Sequence, residues 1–145
     1  MENLLKETVI DVVQVAASAD TTTLTTDVVD MAGYDAATFL CITGDVTSTS
    51  VLTLTVKGNT ANSTSSPTPV TVKATDALTA GATDTDSKIL AVNVNRPAYR
   101  YLFATLARAT ANAVIGGIIC IRYKARSLVT TQGATVVASA QSTPN

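Results

Sequence analysis

The sequence predicts an all-β fold, a jelly-roll-like β-sandwich of about eight strands, and three observations lead to this prediction. Apolar and polar residues alternate repeatedly with a period of two, whereas a helical period is almost absent. Threonine, whose branched side chain favours extended backbone, is the most frequent hydroxyl residue. Turn-forming residues separate the alternating runs at spacings of roughly 8 to 12 residues, which is typical of sandwiches and barrels.

The clearest predicted strand lies around residues 52–56. Leu52, Leu54 and Val56 alternate there with threonines, so that one face would be buried and the other solvated. Seven other runs have the same character with weaker alternation. They are residues 8–15, 23–29, 37–43, 70–74, 89–94, 99–106 and 113–124.

Turn residues are expected to end these strands at residues 32–35, 43–45, 80–82 and 95–97, and residues 60–69, with two prolines, are expected to form a loop. Gly116 and Gly117 interrupt the last apolar run. Glycine inside a strand usually marks a bulge or the close approach of another backbone, and we expect one of these here.

The chain is expected to form one domain, because 145 residues suffice to bury a core without disulfides. Residues 8–126 carry the strand pattern. Residues 1–7 and 127–145 are expected to be extended arms, which either order on a partner or stay disordered.

Charge is unevenly distributed along the chain. Residues 1–95 carry all eleven acids and four lysines, whereas residues 96–145 carry six basic residues and no acid. One interpretation is that acids on neighbouring strands neutralise these bases. The other is that an acidic face of one subunit contacts a basic face of the next.

The residue content argues against catalysis, cofactor binding and metal binding. The chain has no histidine, so neither a histidine triad nor a zinc site with histidine ligands can form. Cys41 and Cys120 lie in apolar runs and are expected to be buried, unreactive thiols, unless the two strands are adjacent and the thiols pair. Glycine-rich phosphate-binding motifs are absent. Asp76, Asp84 and Asp86 could hold Ca²⁺, but acids in such loops more often form turns.

The termini and apolar runs predict a soluble protein. Residues 1–7 contain acids where a signal peptide has basic residues. The longest apolar run, residues 113–121, is shorter than the ~20 residues of a membrane-spanning helix.

The best candidates for a protein-binding surface come from residue type and position. The segment from Tyr99 to Phe103 alternates, so Tyr99, Tyr101 and Phe103 would share one face and Arg100 the other. Tyrosine and arginine are enriched in binding hot spots. Leucines in an otherwise polar N-terminal arm would also be available to a partner. The candidate interface residues are Leu4, Leu5, Arg96, Tyr99, Arg100 and Tyr101.

Several of these patterns occur together in one known family. The turn from Asp30 to Asp35 (Asp-Met-Ala-Gly-Tyr-Asp), the Thr43-Gly44-Asp45 strand end, the alternating 52–56 strand and Asn95-Arg96-Pro97 before Tyr99 resemble the small decoration, or cement, proteins of tailed-bacteriophage heads. The resemblance covers roughly residues 8–126.

The resemblance implies a jelly-roll homotrimer that binds the major capsid protein on the outer surface of the head, at threefold or quasi-threefold positions, after assembly in the host cytoplasm. It implies no cofactor and no nucleic-acid or membrane partner. A phage tail or neck component is one alternative. A non-catalytic adhesin or sugar-binding module is another, although the chain has no tryptophan. An enzyme would need a mechanism without histidine.

Overall fold

Eleven β-strands and one short helix make up the regular structure of the described residues, which are 3–127 and 132–140 of this computed structural model. The predicted all-β class is therefore confirmed. The elements are α1 (Leu4–Glu7), β1 (Val9–Gln14), β2 (Ala17–Asp20), β3 (Leu24–Thr25), β4 (Val29–Asp30), β5 (Tyr34–Val46), β6 (Val51–Asn59), β7 (Val70–Ala74), β8 (Leu78–Thr79), β9 (Ile89–Asn95), β10 (Tyr101–Ala109) and β11 (Ala113–Ala125).

The strands form two antiparallel sheets. Sheet A has the order β1-β11-β5-β9, and β2 also pairs with β11. Sheet B has the order β3-β10-β6-β7, with β4 also on β10 and β8 also on β6. In three places, two consecutive strands pair with the same neighbouring strand: β1 and β2 with β11, β3 and β4 with β10, and β7 and β8 with β6. Counting each such pair as one position gives eight strand positions, and their order is that of a jelly roll.

The core between the sheets is aliphatic, as the composition indicates. Leu52, Leu54 and Val56 of β6 are fully buried while the residues between them are partly exposed, which confirms the predicted alternation. The largest other side chains of the buried cluster come from both sheets: Phe39, Leu102, Leu106, Ile115 and Ile118.

The glycines of sheet A show one correct prediction and one error. Register shifts flank Ile115, and Gly117 has a φ of +146° with its Cα facing the carbonyl of Gln14, so the predicted bulge and close approach are both present. The predicted turn at residues 43–45 is wrong, because β5 continues to Val46 and pairs there with Ala113. Gly44 is needed inside the strand, since a Cβ there would lie 2.8 Å from Val114 Cγ1.

The outer face of sheet A, which points away from the core, is strongly apolar. Leu90, Val92, Phe39, Cys41, Ile118 and Cys120 point into the core, so their neighbours in sequence point outward. We call this outward set the aliphatic face: Ile10, Val12, Leu40, Ile42, Ile89, Ala91, Ile119 and Ile121.

The terminal segments meet along the edge strand β1. Residues 4–7 of the predicted N-terminal arm form the single helical turn α1. Gln132 Nε2 donates to the carbonyls of Leu5 and Thr8, and the N–H groups of Ile10 and Val12 donate to Gln132 Oε1 and Thr135 Oγ1 at 3.0 and 2.8 Å. The remaining parts of the two predicted arms, residues 1–2, 128–131 and 141–145, lie outside the described residues.

Candidate protein-binding groove

Three chain segments enclose a groove of about 520 Å³ at one end of the sandwich. They are the turn between β4 and β5, the loop between β9 and β10, and the residue that follows β11. The side chains in this groove that carry charge or an aromatic ring are Tyr34, Asp35, Arg96, Tyr99, Arg100 and Arg126. We call it the basic groove.

Backbone hydrogen bonds tie the three walls of the basic groove to one another. The Met31 N–H donates to the Arg100 carbonyl at 2.7 Å, and the Arg96 N–H donates to the Asp35 carbonyl at 2.7 Å. The Arg126 N–H donates to the Gly33 carbonyl at 2.9 Å, where Gly33 adopts a φ of +86° that the turn requires. The groove is therefore formed before any partner binds.

Arg100 is held by a bidentate ion pair with Asp30. Its Nε and Nη2 donate to the two carboxylate oxygens at 3.0 and 2.9 Å, and its guanidinium carbon lies 5.2 Å from the centre of the Tyr101 ring. The hydrogen bonds from Arg100 hold the pKa of Asp30 below its ordinary value, and the same contact raises the pKa of Arg100. Both side chains stay largely exposed, so a partner carboxylate could compete for the guanidinium.

Arg126 makes a looser pair with Asp35. Its Nη2 lies 3.1 Å from Asp35 Oδ1, and its side chain is 71% exposed. A single contact between two exposed groups contributes little to stability. Most of the hydrogen-bonding capacity of this guanidinium is therefore available to a ligand.

Arg96 differs from the other two arginines of the groove. Its backbone has a φ of +51°, in the left-handed region that non-glycine residues seldom occupy. Its side chain is exposed, and among the described residues it has neither an ion pair nor a side-chain hydrogen bond. Arg96 is thus an exposed positive charge at the groove that has no ion-pair partner among the described residues.

Tyr99 does not share the face of Tyr101 that strand alternation predicts for it. It precedes β10 and packs against the core, where Gly58 makes room for its ring. Tyr101 and Phe103 are on the strand itself and alternate with Leu102 and Ala104 of the core cluster, although Phe103 is also buried. The prediction that these three rings share one face is wrong, because regular alternation begins only at Tyr101.

Arg122 lies beside the groove and contacts Tyr34 of its lining, which the sequence pattern did not indicate. Its Nη1 donates to the Asp30 carbonyl of sheet B and its Nη2 to Asp11 of β1, at 2.8 and 2.9 Å. Its guanidinium carbon lies 5.0 Å from the centre of the Tyr34 ring. One signal was available, since Arg122 is the first charge in the long apolar run of β11.

The six predicted interface residues fall into two groups. Arg96, Tyr99 and Arg100 line the basic groove. Tyr101, Leu4 and Leu5 are not among the described residues that line the groove. Tyr101 lies under the Arg100 guanidinium, and the two leucines lie on α1, where Leu4 is 51% exposed.

For three of the six bases in residues 96–145, the structure supports the interpretation that acids on neighbouring strands neutralise them. Arg100, Arg122 and Arg126 pair with Asp30, Asp11 and Asp35, which all belong to residues 1–95. Arg108 is buried and instead donates to the carbonyls of Ser18, Thr22 and Ala113 and to the Thr22 hydroxyl.

The described residues contain no arrangement that suggests a metal site or a reactive thiol. No three of their Cys, Asp or Glu side chains are grouped so as to hold a metal ion. Asp84 accepts the Gly81 N–H within the loop before β9, and Asp86 accepts the Val46 N–H at the end of β5, so each carboxylate is used to hold local backbone. Cys41 and Cys120 are unpaired and buried, and burial raises the pKa of each thiol to about 12.

Comparison with known proteins identifies no relative by sequence. No protein-family model and no curated protein matches the chain. A solved structure of Bacillus endospore appendages, described as a novel family of disulfide-linked pili, is 14% identical, covers 81% of this chain and 88% of its own, and has a TM-score of 0.49. The Eiger TNF of S. frugiperda is 7% identical, covers 88% of this chain and 99% of its own, and has a TM-score of 0.39. Neither likeness is close enough to carry an argument about function.

Membrane insertion through a helix finds no support in the described residues, whose helical segment is too short and too polar to cross a bilayer.

Proposed function

We propose that this chain is a non-catalytic structural protein that binds the outside of a phage capsid shell and stabilises the junctions between capsomers, with the major capsid protein as its partner. The observation that carries the proposal is the convergence of Arg96, Arg100 and Tyr99 on one preformed groove. These residue types favour an acidic protein surface with apolar margins.

The mechanics of the fold suit such a role. A jelly roll is held by two hydrogen-bonded sheets around a packed core, so it transmits force between its contacts without deforming. The walls of the basic groove are cross-linked by backbone hydrogen bonds, so little conformational entropy is lost when a partner docks.

Oligomerisation would multiply a modest contact. In a homotrimer, three copies of the basic groove would belong to one rigid body. Once the first groove binds the shell, the other two act at high effective concentration. Individually weak contacts would then hold the trimer across a capsomer junction.

The proposal that the chain is not an enzyme rests on its residues. The sequence has no histidine to serve as a base, and the two thiols are buried with pKa values of about 12. The basic groove contains arginine and tyrosine side chains and the carboxylate of Asp35, which is engaged by Arg126.

Co-sedimentation with phage heads tests the function directly. The heads are assembled from the major capsid protein of the same genome, without other decoration proteins. We expect the wild-type chain to bind saturably and to raise the temperature at which the heads disrupt. Arg96→Glu should weaken binding by at least about tenfold, since it replaces an attraction by a repulsion.

The matched control is Lys73→Glu, which makes the same charge change at an exposed residue of β7, on the other sheet and outside the groove. It should bind like the wild type. Equal binding by Arg96→Glu and the wild type would show that the basic groove is not the surface that binds the heads. An absence of wild-type binding to heads, or binding to tails alone, would overturn the capsid function itself.

A further inference from the structure

The aliphatic face of sheet A is an apolar surface that the basic groove does not explain. Cross-strand pairs make it continuous over four strands: Ile10 lies opposite Ile121, Ile119 opposite Leu40, and Ile42 opposite Ile89. Several of these side chains are open to solvent, Ile89 to 61% and Val12 and Ile42 to 38% each.

The outward positions of this face carry no charge. Over residues 10–14, 36–42, 89–95 and 119–123, the outward side chains are either aliphatic or uncharged polar groups. Asn93 Nδ2 donates both to Thr38 Oγ1 and to the Tyr123 hydroxyl, and Asn95 Oδ1 accepts from the Lys124 ammonium, so a positive charge lies at the margin of the face. The polar groups form a border beside the aliphatic residues, the arrangement of an interface with an apolar centre and a polar rim.

The size of the face fits an interface. Four strands at their usual spacing, over about four residues each, give the aliphatic residues a plan of about 19 Å by 13 Å, or roughly 250 Å², and the polar border extends this to roughly 400 Å². Surface patches of a few hundred Å² on a monomer are often functional. A standard interface takes about 800 Å² from each partner, so the aliphatic face would supply its centre.

The absence of charge selects the occupant. Interfaces between identical subunits are more apolar than other interfaces, and their centres are depleted of charge. An acidic partner of the kind that fits the basic groove would gain nothing from this face, whereas two copies of an uncharged aliphatic sheet are complementary to each other. We infer that the aliphatic face is the self-association interface of this protein and that a second copy of the chain covers it.

The neighbouring edge of sheet A is closed to another mode of association. An exposed edge strand offers unpaired N–H and carbonyl groups to another chain. On β1, the N–H groups of Ile10 and Val12 are already taken by Gln132 and Thr135. Strand addition at β1 is therefore blocked at these two residues.

This inference is independent of the proposed function and can fail separately, because two copies of one face that pack on each other form a twofold dimer. The test is native mass by light scattering over a range of protein concentrations. We expect the wild-type chain to have about 30 kDa, twice the 14.9 kDa of one chain, or a higher even multiple where dimers assemble further. The double variant Ile42→Lys/Ile89→Lys, which places two charges on one cross-strand pair, should be a monomer with an unchanged circular dichroism spectrum.

The control variant is Val70→Lys, which introduces lysine at a residue of sheet B that is 48% exposed. It should keep the wild-type mass. If the double lysine variant does not fold, Ile42→Thr/Ile89→Thr keeps the β-branched side chains and should still raise the dissociation constant at least about tenfold. A monomeric wild type, or an unchanged mass for a folded double variant, would overturn the inference. A wild-type monomer that binds heads would overturn this inference but support the proposed function. An oligomer that does not bind heads would support this inference but overturn the proposed function.

Discussion

Gly58 lies directly against the ring of Tyr99: a Cβ at residue 58 would be 2.5 Å from Tyr99 Cδ2. This contact joins the middle of sheet B to the wall of the basic groove, because Gly58 pairs with Leu102 in β10 and Tyr99 lines the groove. The Tyr99 ring can therefore occupy its position at the groove because residue 58, on the neighbouring strand β6, is glycine.

Gly58→Ala should destabilise the protein by about 1–3 kcal/mol, because the added methyl overpacks the contact with Tyr99. In a Tyr99→Ala background the same change should cost much less, since the ring is gone. Urea unfolding of the four proteins of this double-mutant cycle measures the coupling. Gly116→Ala is the control, as its Cβ would meet Ile42 at an ordinary 3.4 Å. Equal costs of Gly58→Ala in both backgrounds would contradict the packing argument.

Arg108→Met should lower the free energy of unfolding by about 1–3 kcal/mol. The guanidinium is buried and donates to three backbone carbonyls around β2, β3 and β11. Removing it leaves the buried Ala113 carbonyl without this partner, at a cost of about 1–3 kcal/mol, and also breaks two partly buried bonds to the carbonyls of Ser18 and Thr22. Urea unfolding measures the loss. Arg126→Met, at a side chain that is 71% exposed, should change the stability by less than about 0.5 kcal/mol, and a similar loss in both variants would refute the role of Arg108.

Acid should remove a small part of the stability through Asp30. The pKa of this carboxyl is lowered from 3.8 by its hydrogen bonds with Arg100, so the ionised form is favoured in the folded chain. Its contribution is then fully present above the unfolded pKa and is lost as the pH falls through the folded pKa. NMR titration should give a folded pKa below 3.8, and Arg100→Met should raise it towards that value. A folded pKa that Arg100→Met leaves unchanged would show that the ion pair is not its cause.

Neither thiol should react with a disulfide reagent while the chain is folded. Cys41 and Cys120 are buried, and burial raises the pKa of each to about 12, so the reactive thiolate is scarce near neutral pH. Labelling with Ellman's reagent at pH 8 should titrate no thiol in buffer and two in denaturant. Rapid labelling of the native chain, or fewer than two thiols after unfolding without reductant, would contradict this prediction.

The fold could be predicted from local pattern because period-two alternation and turn residues act within a few residues of each other. The run at residues 52–56 alternates strictly, and its buried and partly exposed faces are the predicted ones. The pattern failed where a local signal had a non-local cause: Gly44 resembles a turn residue, but it is there to make room for Val114 on the neighbouring strand.

The candidate groove could be predicted only in part. Arg96, Tyr99 and Arg100 are close in sequence, and residue type alone selects them. Tyr34, Arg126 and the neighbouring Arg122 could not be placed with them, because the order of strands in the sheets is what brings these distant positions to one end of the sandwich.

By itself, the sequence determined that this protein is a jelly-roll sandwich with an aliphatic core, buried thiols and no histidine chemistry. Only the tertiary structure decided which apolar residues stay outside. Ile119 and Cys120 are adjacent in one apolar run, yet Cys120 is buried and Ile119 is partly exposed on the aliphatic face. The physical reason is that a strand with two apolar faces can bury either one, and the packing of sheet A on sheet B covers a single face and leaves the other for a partner.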